Sequence, residues 1–103
     1  MKTVIYGVLE EEKQRNLERQ EITRQEIESL RKGTIVLRNI SGKDYYYLRY
    51  RKGNKIKNDY IGKACDKEKL DKVKYELDKR KYLLEVLTKL KLEYKQICKI
   101  VKD

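Results

Sequence analysis

The chain has 103 residues, 43% of them charged and 39% hydrophobic, with no proline, no histidine and two cysteines. That is the length of one domain, residues 1–103, with too few apolar residues for a thick globular core. Long helices with several solvated faces suit the balance better. A net charge of +10 calls for anionic partners; no apolar run is long enough to span a membrane, and the short acid-flanked start is not a secretion signal, so a cytoplasmic protein is expected.

Taken in order, residues 1–32 predict a long helix. Met1 to Ile5 is a short apolar lead, Glu10, Glu11 and Glu12 suit the positive end of a helix dipole, and Gly33 follows Arg31 and Lys32 as a left-handed stop. The apolar positions Leu9, Leu17, Ile22, Ile27 and Leu30 are sparse. Such a helix is stable only if it lays a narrow seam on another element.

Residues 33–63 read as sheet: TIVLRNI, YYYLRYR and KIKNDYIGK are β-like runs separated by turn signals near Gly42 and at Gly53-Asn54. This predicts a three-stranded antiparallel meander. A two-residue turn at Gly42-Lys43 would pair Leu37 with Leu48, Ile35 with Tyr50 and Asn39 with Tyr46. A three-residue loop at Lys52-Gly53-Asn54 would pair Tyr50 with Ile56 and Tyr46 with Tyr60, extending one apolar face across all three strands.

On these registers the inward face is Ile35, Leu37, Tyr46, Leu48, Tyr50, Ile56 and Tyr60. The outward face carries Arg38, Arg49, Arg51, Lys55 and Lys57 with Tyr45 and Tyr47 between them, the aliphatic residues Val36 and Ile40, and Asp59 as its one acid. Cations meet phosphates and tyrosine rings stack on bases, so these seven side chains are the candidate nucleic-acid site. The charge is concentrated here: residues 1–31 sum to −1, 32–64 to +7 and 65–103 to +4.

Residues 66–102 predict a second helix, capped by Asp66, either continuous or a pair broken near residues 88–90. Leu70, Val73, Leu77, Leu84, Leu87, Tyr94, Cys98 and Val101 form one apolar ladder, and Leu83, Val86, Leu90, Tyr94, Ile97 and Val101 form a second. The fold class expected is therefore α+β, with the two helices as an antiparallel hairpin.

Catalysis has little to stand on. With no histidine and no CxxC pattern, a metal site is not expected, and no nucleophile motif or phosphate loop is present. Tyr60-Ile61-Gly62 resembles one half of a nuclease signature, but its second triplet, arginine-bearing helix and metal-binding glutamate are missing. No cofactor is expected and the chain reads as non-enzymatic.

The run from Lys32 to Lys63, most specifically Gly33 and Tyr45 to Lys63, resembles the hairpin core of short proteins from phages, plasmids and other mobile elements, which also carry a charged helix before it and a Lys/Glu/Leu-rich helix after it. More distantly it resembles the DNA-contacting arm sheets of tyrosine integrases. Mobile-element proteins of this build include anti-CRISPR proteins. The resemblance implies RNA, DNA or a nucleic-acid-bound effector protein as partner, and an anti-defence role against an RNA-guided nuclease or its guide RNA. The alternative is a helical protein-interaction module, with a homodimer through the helices.

Overall fold

The computed structural model describes residues 4–101; the predicted helix limits at residues 1 and 102 and the start of the apolar lead lie outside them. The elements run α1 (Val4–Ser29), β1 (Thr34–Ile40), β2 (Lys43–Lys52), β3 (Lys55–Lys63) and α2 (Lys67–Ile100), an α+β fold. The sheet is an antiparallel meander in the order β1-β2-β3. Contacts divide the chain into two compact units: Leu30–Arg80, which holds the sheet and the first part of α2, and α1 with the part of α2 from Lys81 onward. The second helix is one uninterrupted element, without a break at residues 88–90.

In the sheet unit, Leu48, Ile61 and Val73 form the buried centre, with Ile35, Tyr46, Tyr50 and Leu77 packed around it. Strand alternation supplies the sheet's share and the spacing of Val73 and Leu77 supplies the helix's. Each fully buried aliphatic contributes about 1.5–3 kcal/mol, so this small core tolerates little loss. The N-terminus of α2 is set by a tight connection, in which the Asp66 amide donates to the Lys63 carbonyl (2.9 Å) and the Ala64 amide to the Asp44 carbonyl (3.0 Å).

The first β-turn is Ser41-Gly42, with Ile40 opposite Lys43, and not Gly42-Lys43. Both turn residues have positive φ, 53° and 81°, the twist that matches two right-twisted strands. Asn39 holds it, accepting from the Gly42 amide (3.2 Å) and donating to Asp44 (2.9 Å). Leu48 thus faces Ile35 and not Leu37, a slip of two residues. A slip of two preserves which face each side chain occupies, whereas a slip of one reverses it.

The second turn does reverse a strand. It has two residues, Gly53-Asn54, with Lys52 opposite Lys55, Arg51 opposite Ile56 and Tyr50 opposite Lys57. The three-residue loop is therefore overturned, and with it the orientation of β3 up to Tyr60. A β-bulge at Ile61 then inserts one extra residue, so that Tyr47 faces Tyr60 while Tyr46 faces Gly62. Ile61, next to the outward Tyr60, enters the core, where it is 7% exposed, and the extra residue turns Gly62 inward as well and returns Lys63 to the outer face.

In the helical unit, α1 and the later part of α2 run antiparallel, with Lys13 against Tyr94 and Asn16 against Leu90. The seam of α1 is not the apolar set read from the sequence. Its buried residues are Asn16, Gln20, Thr23 and Ile27, while Leu17 and Ile22 are 37% and 57% exposed. Helical spacing explains it, since residues 16, 20, 23 and 27 fall on one stripe and residues 17 and 22 fall to either side. The polar seam is hydrogen-bonded in series: Asn16 Nδ2 donates to the Leu90 carbonyl (2.9 Å), Gln20 Nε2 to Asn16 Oδ1 (2.7 Å) and Arg24 Nη2 to Gln20 Oε1 (3.2 Å). On α2, Leu90 is buried and Leu83, Val86, Leu87, Tyr94, Ile97, Cys98 and Val101 are half-buried, whereas Leu84 is 41% exposed. Of the two ladders, the second describes this half of the helix better.

Helix α1 ends at Ser29, not at Arg31-Lys32. Gly33 does not act as a left-handed stop; its φ is +132°, and it serves a different purpose against β2.

Candidate nucleic-acid interface

The outer face of the sheet, opposite the core, can be read row by row from the strand pairing. Ile40 faces Lys43; Arg38, Tyr45 and Lys63 share a row; Val36, Tyr47 and Tyr60 share the next; Thr34, Arg49 and Asn58 follow; Arg51 and Ile56 close the face. Tyrosines therefore occupy the middle rows, with cations toward both ends. Paired residues share a face because antiparallel partners project to the same side of the pleat.

Five of the seven predicted site residues are brought together here: Arg38, Tyr45, Tyr47, Arg49 and Arg51. Lys55 and Lys57 are not. They pair with Lys52 and Tyr50 and so belong to the opposite face, along with Asp59, which pairs with Leu48. The physical reason is the two-residue turn, which shifts β3 by one residue against β2 and exchanges its faces. Ile56 and Tyr60, assigned inward from the sequence, are correspondingly outward, at 52% and 55% exposure.

Three residues that the sequence reading missed join the face: Tyr60 by this exchange, Lys63 by the bulge that follows it, and Lys43 because the first turn is Ser41-Gly42. The signal for Tyr60 was present, because Gly-Asn between two β-like runs is a common two-residue hairpin turn. The apolar character of Ile56 and Tyr60, which suits the inward face, conceals it. With the correction the outer face has five cations, Arg38, Lys43, Arg49, Arg51 and Lys63, and no acid, since Asp44 and Asp59 both lie on the other side. Among the described residues none of these five cations makes an ion pair, in contrast to Arg15, Arg24, Arg31 and Lys69.

The three tyrosines touch. The Tyr60 ring lies 5.6 Å from that of Tyr47 in an edge-to-face arrangement and 6.2 Å from that of Tyr45, tilted by 52°. Arg38 sits over the Tyr47 ring, 5.4 Å from its centre. Such contacts hold aromatic side chains in place at low conformational cost, and the guanidinium gains cation–π attraction. Beneath, on the core side, the neighbouring Asp59 carboxylate, as a hydrogen-bond acceptor for the phenol, together with partial burial holds Tyr50 above the usual tyrosine range.

Among the described residues no three histidine, cysteine, aspartate or glutamate side chains are grouped so as to hold a metal ion. Both cysteines are free thiols, Cys65 exposed and Cys98 half-buried. No helix among the described residues is long and apolar enough to cross a membrane.

A search of curated proteins finds no match, and none is found among solved structures. A family profile, that of the domain of unknown function DUF6788, matches residues 9–71, from the first turns of α1 through the whole meander to the first turn of α2. That span is more than half of the chain and contains every residue of the outer face, so the protein belongs to the DUF6788 family.

Proposed function

We propose that the protein is a non-enzymatic nucleic-acid-binding module that acts through the outer face of its sheet. The observation that carries this reading is the set of five unpaired cations without an acid, arranged around three touching tyrosines. A solvated sheet face needs charge but not charge of one sign, whereas a polyanion rewards that bias by releasing counterions from each neutralised phosphate. An inhibitor of an RNA-guided nuclease, gripping guide RNA or displaced DNA, is one setting in which such a face would work, and the two free thiols suit a reducing cytoplasm.

Anisotropy of a labelled oligonucleotide, titrated at several salt concentrations, tests the reading. Binding that weakens log-linearly with salt and is lost in Arg49→Glu/Arg51→Glu supports it; no binding at low salt overturns it. A second reading, self-association through the helices, draws on Ile22, Leu84 and Leu92, which are 57%, 41% and 56% exposed. Sedimentation over a range of concentrations separates the two.

A further inference from the structure

Resting on the nucleic-acid reading of the outer face, we propose that its ligand is a single strand and that the platform for an unpaired base is Tyr60. The three tyrosines are not equivalent. Tyr47 is half-buried and already has the Arg38 guanidinium over its ring and Tyr60 beside it. Tyr45 is also half-buried, in a row between Arg38 and Lys63. Tyr60 keeps 55% of its surface in water while two neighbouring rings brace it.

The bulge next to it decides which residues beyond Tyr60 share its face. Without the extra residue, continued alternation from Tyr60 would leave Ile61 facing in and Gly62 facing out. With it, Ile61 still faces the core, Gly62 turns inward opposite Tyr46, where an added β-carbon would lie 3.5 Å from Asp66, and Lys63 comes out opposite Tyr45 before the chain enters α2. Bulges of this kind re-aim side chains where a sheet meets a ligand. Here the two-residue turn sets Tyr60 outward on an edge strand, where a ligand can approach it from above and from the side, and the bulge re-aims Lys63 to the same face beside it.

The class of nucleic acid follows from what an aromatic ring can reach. In a duplex the base faces are stacked on one another and only edges and phosphates are presented, so an exposed ring gains nothing beyond ordinary contact. An unpaired base offers a whole π-face, and stacking on it is tolerant of sequence. Cations on both sides of the aromatic rows, Lys43 and Lys63 toward one end and Arg49 and Arg51 toward the other, suit a backbone that runs along β2 while its bases turn down onto the rings.

The test compares labelled oligo(dT), oligo(U) and a DNA duplex, each of about 16 nucleotides or base pairs, long enough to fill a single-strand site of ordinary size. The full chain should bind the single strands more tightly than the duplex; comparing dT with U shows whether the ribose matters. Tyr60→Leu should weaken single-strand binding by about 5- to 150-fold with an unchanged salt slope and an unchanged residual affinity for duplex, while Tyr60→Phe stays close to wild type. Because Tyr60 is exposed, both variants should melt near the wild-type temperature. Equal or tighter binding to duplex, or wild-type affinity in Tyr60→Leu while Arg49→Glu/Arg51→Glu abolishes binding, overturns the inference and leaves nucleic-acid binding standing. Failure of all three probes to bind at low salt overturns the underlying reading itself.

Discussion

Gly33 lies so close to Arg49 that a β-carbon on it would come within 2.4 Å of the Arg49 carbonyl oxygen and 3.0 Å of the Tyr50 β-carbon. The residue that leads the chain into the sheet is therefore pressed against the strand that carries the proposed binding face. Its φ of +132° is a second reason for glycine.

Gly33→Ala should accordingly destabilise the protein by about 1–3 kcal/mol or more, because neither the backbone of β2 nor the dihedral can yield cheaply. Gly53 is the control. It also has positive φ, 63°, but a β-carbon there meets nothing within 4 Å. Gly53→Ala should cost only about 1 kcal/mol, and Gly53→Asn less, since asparagine tolerates the left-handed region. Urea denaturation of the three variants ranks them; equal losses at Gly33 and Gly53 would show that β2 yields to the contact.

The seam of the helical unit predicts an asymmetry between single and paired substitution. Asn16→Ala removes the donor to Leu90 and leaves the Gln20 amide, now buried, without its acceptor, a loss of about 1–3 kcal/mol. Asn16→Leu/Gln20→Leu replaces the linked pair by apolar side chains and should be neutral or stabilising. Thermal melts measure both effects. A buried asparagine in a helical seam favours one register over its neighbours at some loss of stability, so the double variant is also expected to show broader helix-interface resonances by NMR.

Charge reversal should separate the two faces of the sheet. Five phosphate contacts give a slope of log affinity against log salt of about −3.5 for a single strand and about −4.5 for a duplex. Arg49→Glu/Arg51→Glu should remove about two contacts' worth of that slope. Lys55→Glu/Lys57→Glu changes charge by the same amount on the same hairpin but on the opposite face, and should leave the slope much closer to wild type. Equal effects from the two pairs would mean that net charge, and not the outer face, governs binding.

The Asp59 carboxylate beside Tyr50 makes a prediction for alkaline pH. The folded protein holds the Tyr50 phenol above its unfolded value near 10, so the stabilisation is complete below about pH 10 and is lost as pH rises through the raised folded value. The melting-temperature difference between wild type and Tyr50→Phe should stay constant from neutral pH up to about pH 10 and shrink beyond it. A difference that persists unchanged at higher pH would mean that the phenolic proton is not its source.

Much of this architecture was open to inspection in the amino-acid sequence because it depends on local periodicity and turn chemistry. The α+β order, the meander between residues 33 and 63, turns near Gly42 and at Gly53-Asn54 and the basic pole at the sheet all follow from patterns a few residues long. Arg38, Tyr45, Tyr47, Arg49 and Arg51 were placed correctly for the same reason. Their faces depend on parity along β1 and β2, which survives a register slip of two.

What only the tertiary structure decided is where parity itself was at stake. One residue more or fewer in the second turn chooses whether Lys55 and Lys57 or Tyr60 reaches the outer face, and the apolar pattern of β3 favoured the wrong answer because Ile56 and Tyr60 look like core residues. The core is completed instead by Ile61, packed with Leu48 and Val73, and a bulge with no local signal then places Lys63 on the outer face. The seam of α1 is decided in the same way, since Asn16 and Gln20 are buried only because the Leu90 carbonyl and each other's amides are there to satisfy them, and a hydrogen bond across 74 residues has no trace in a window of seven.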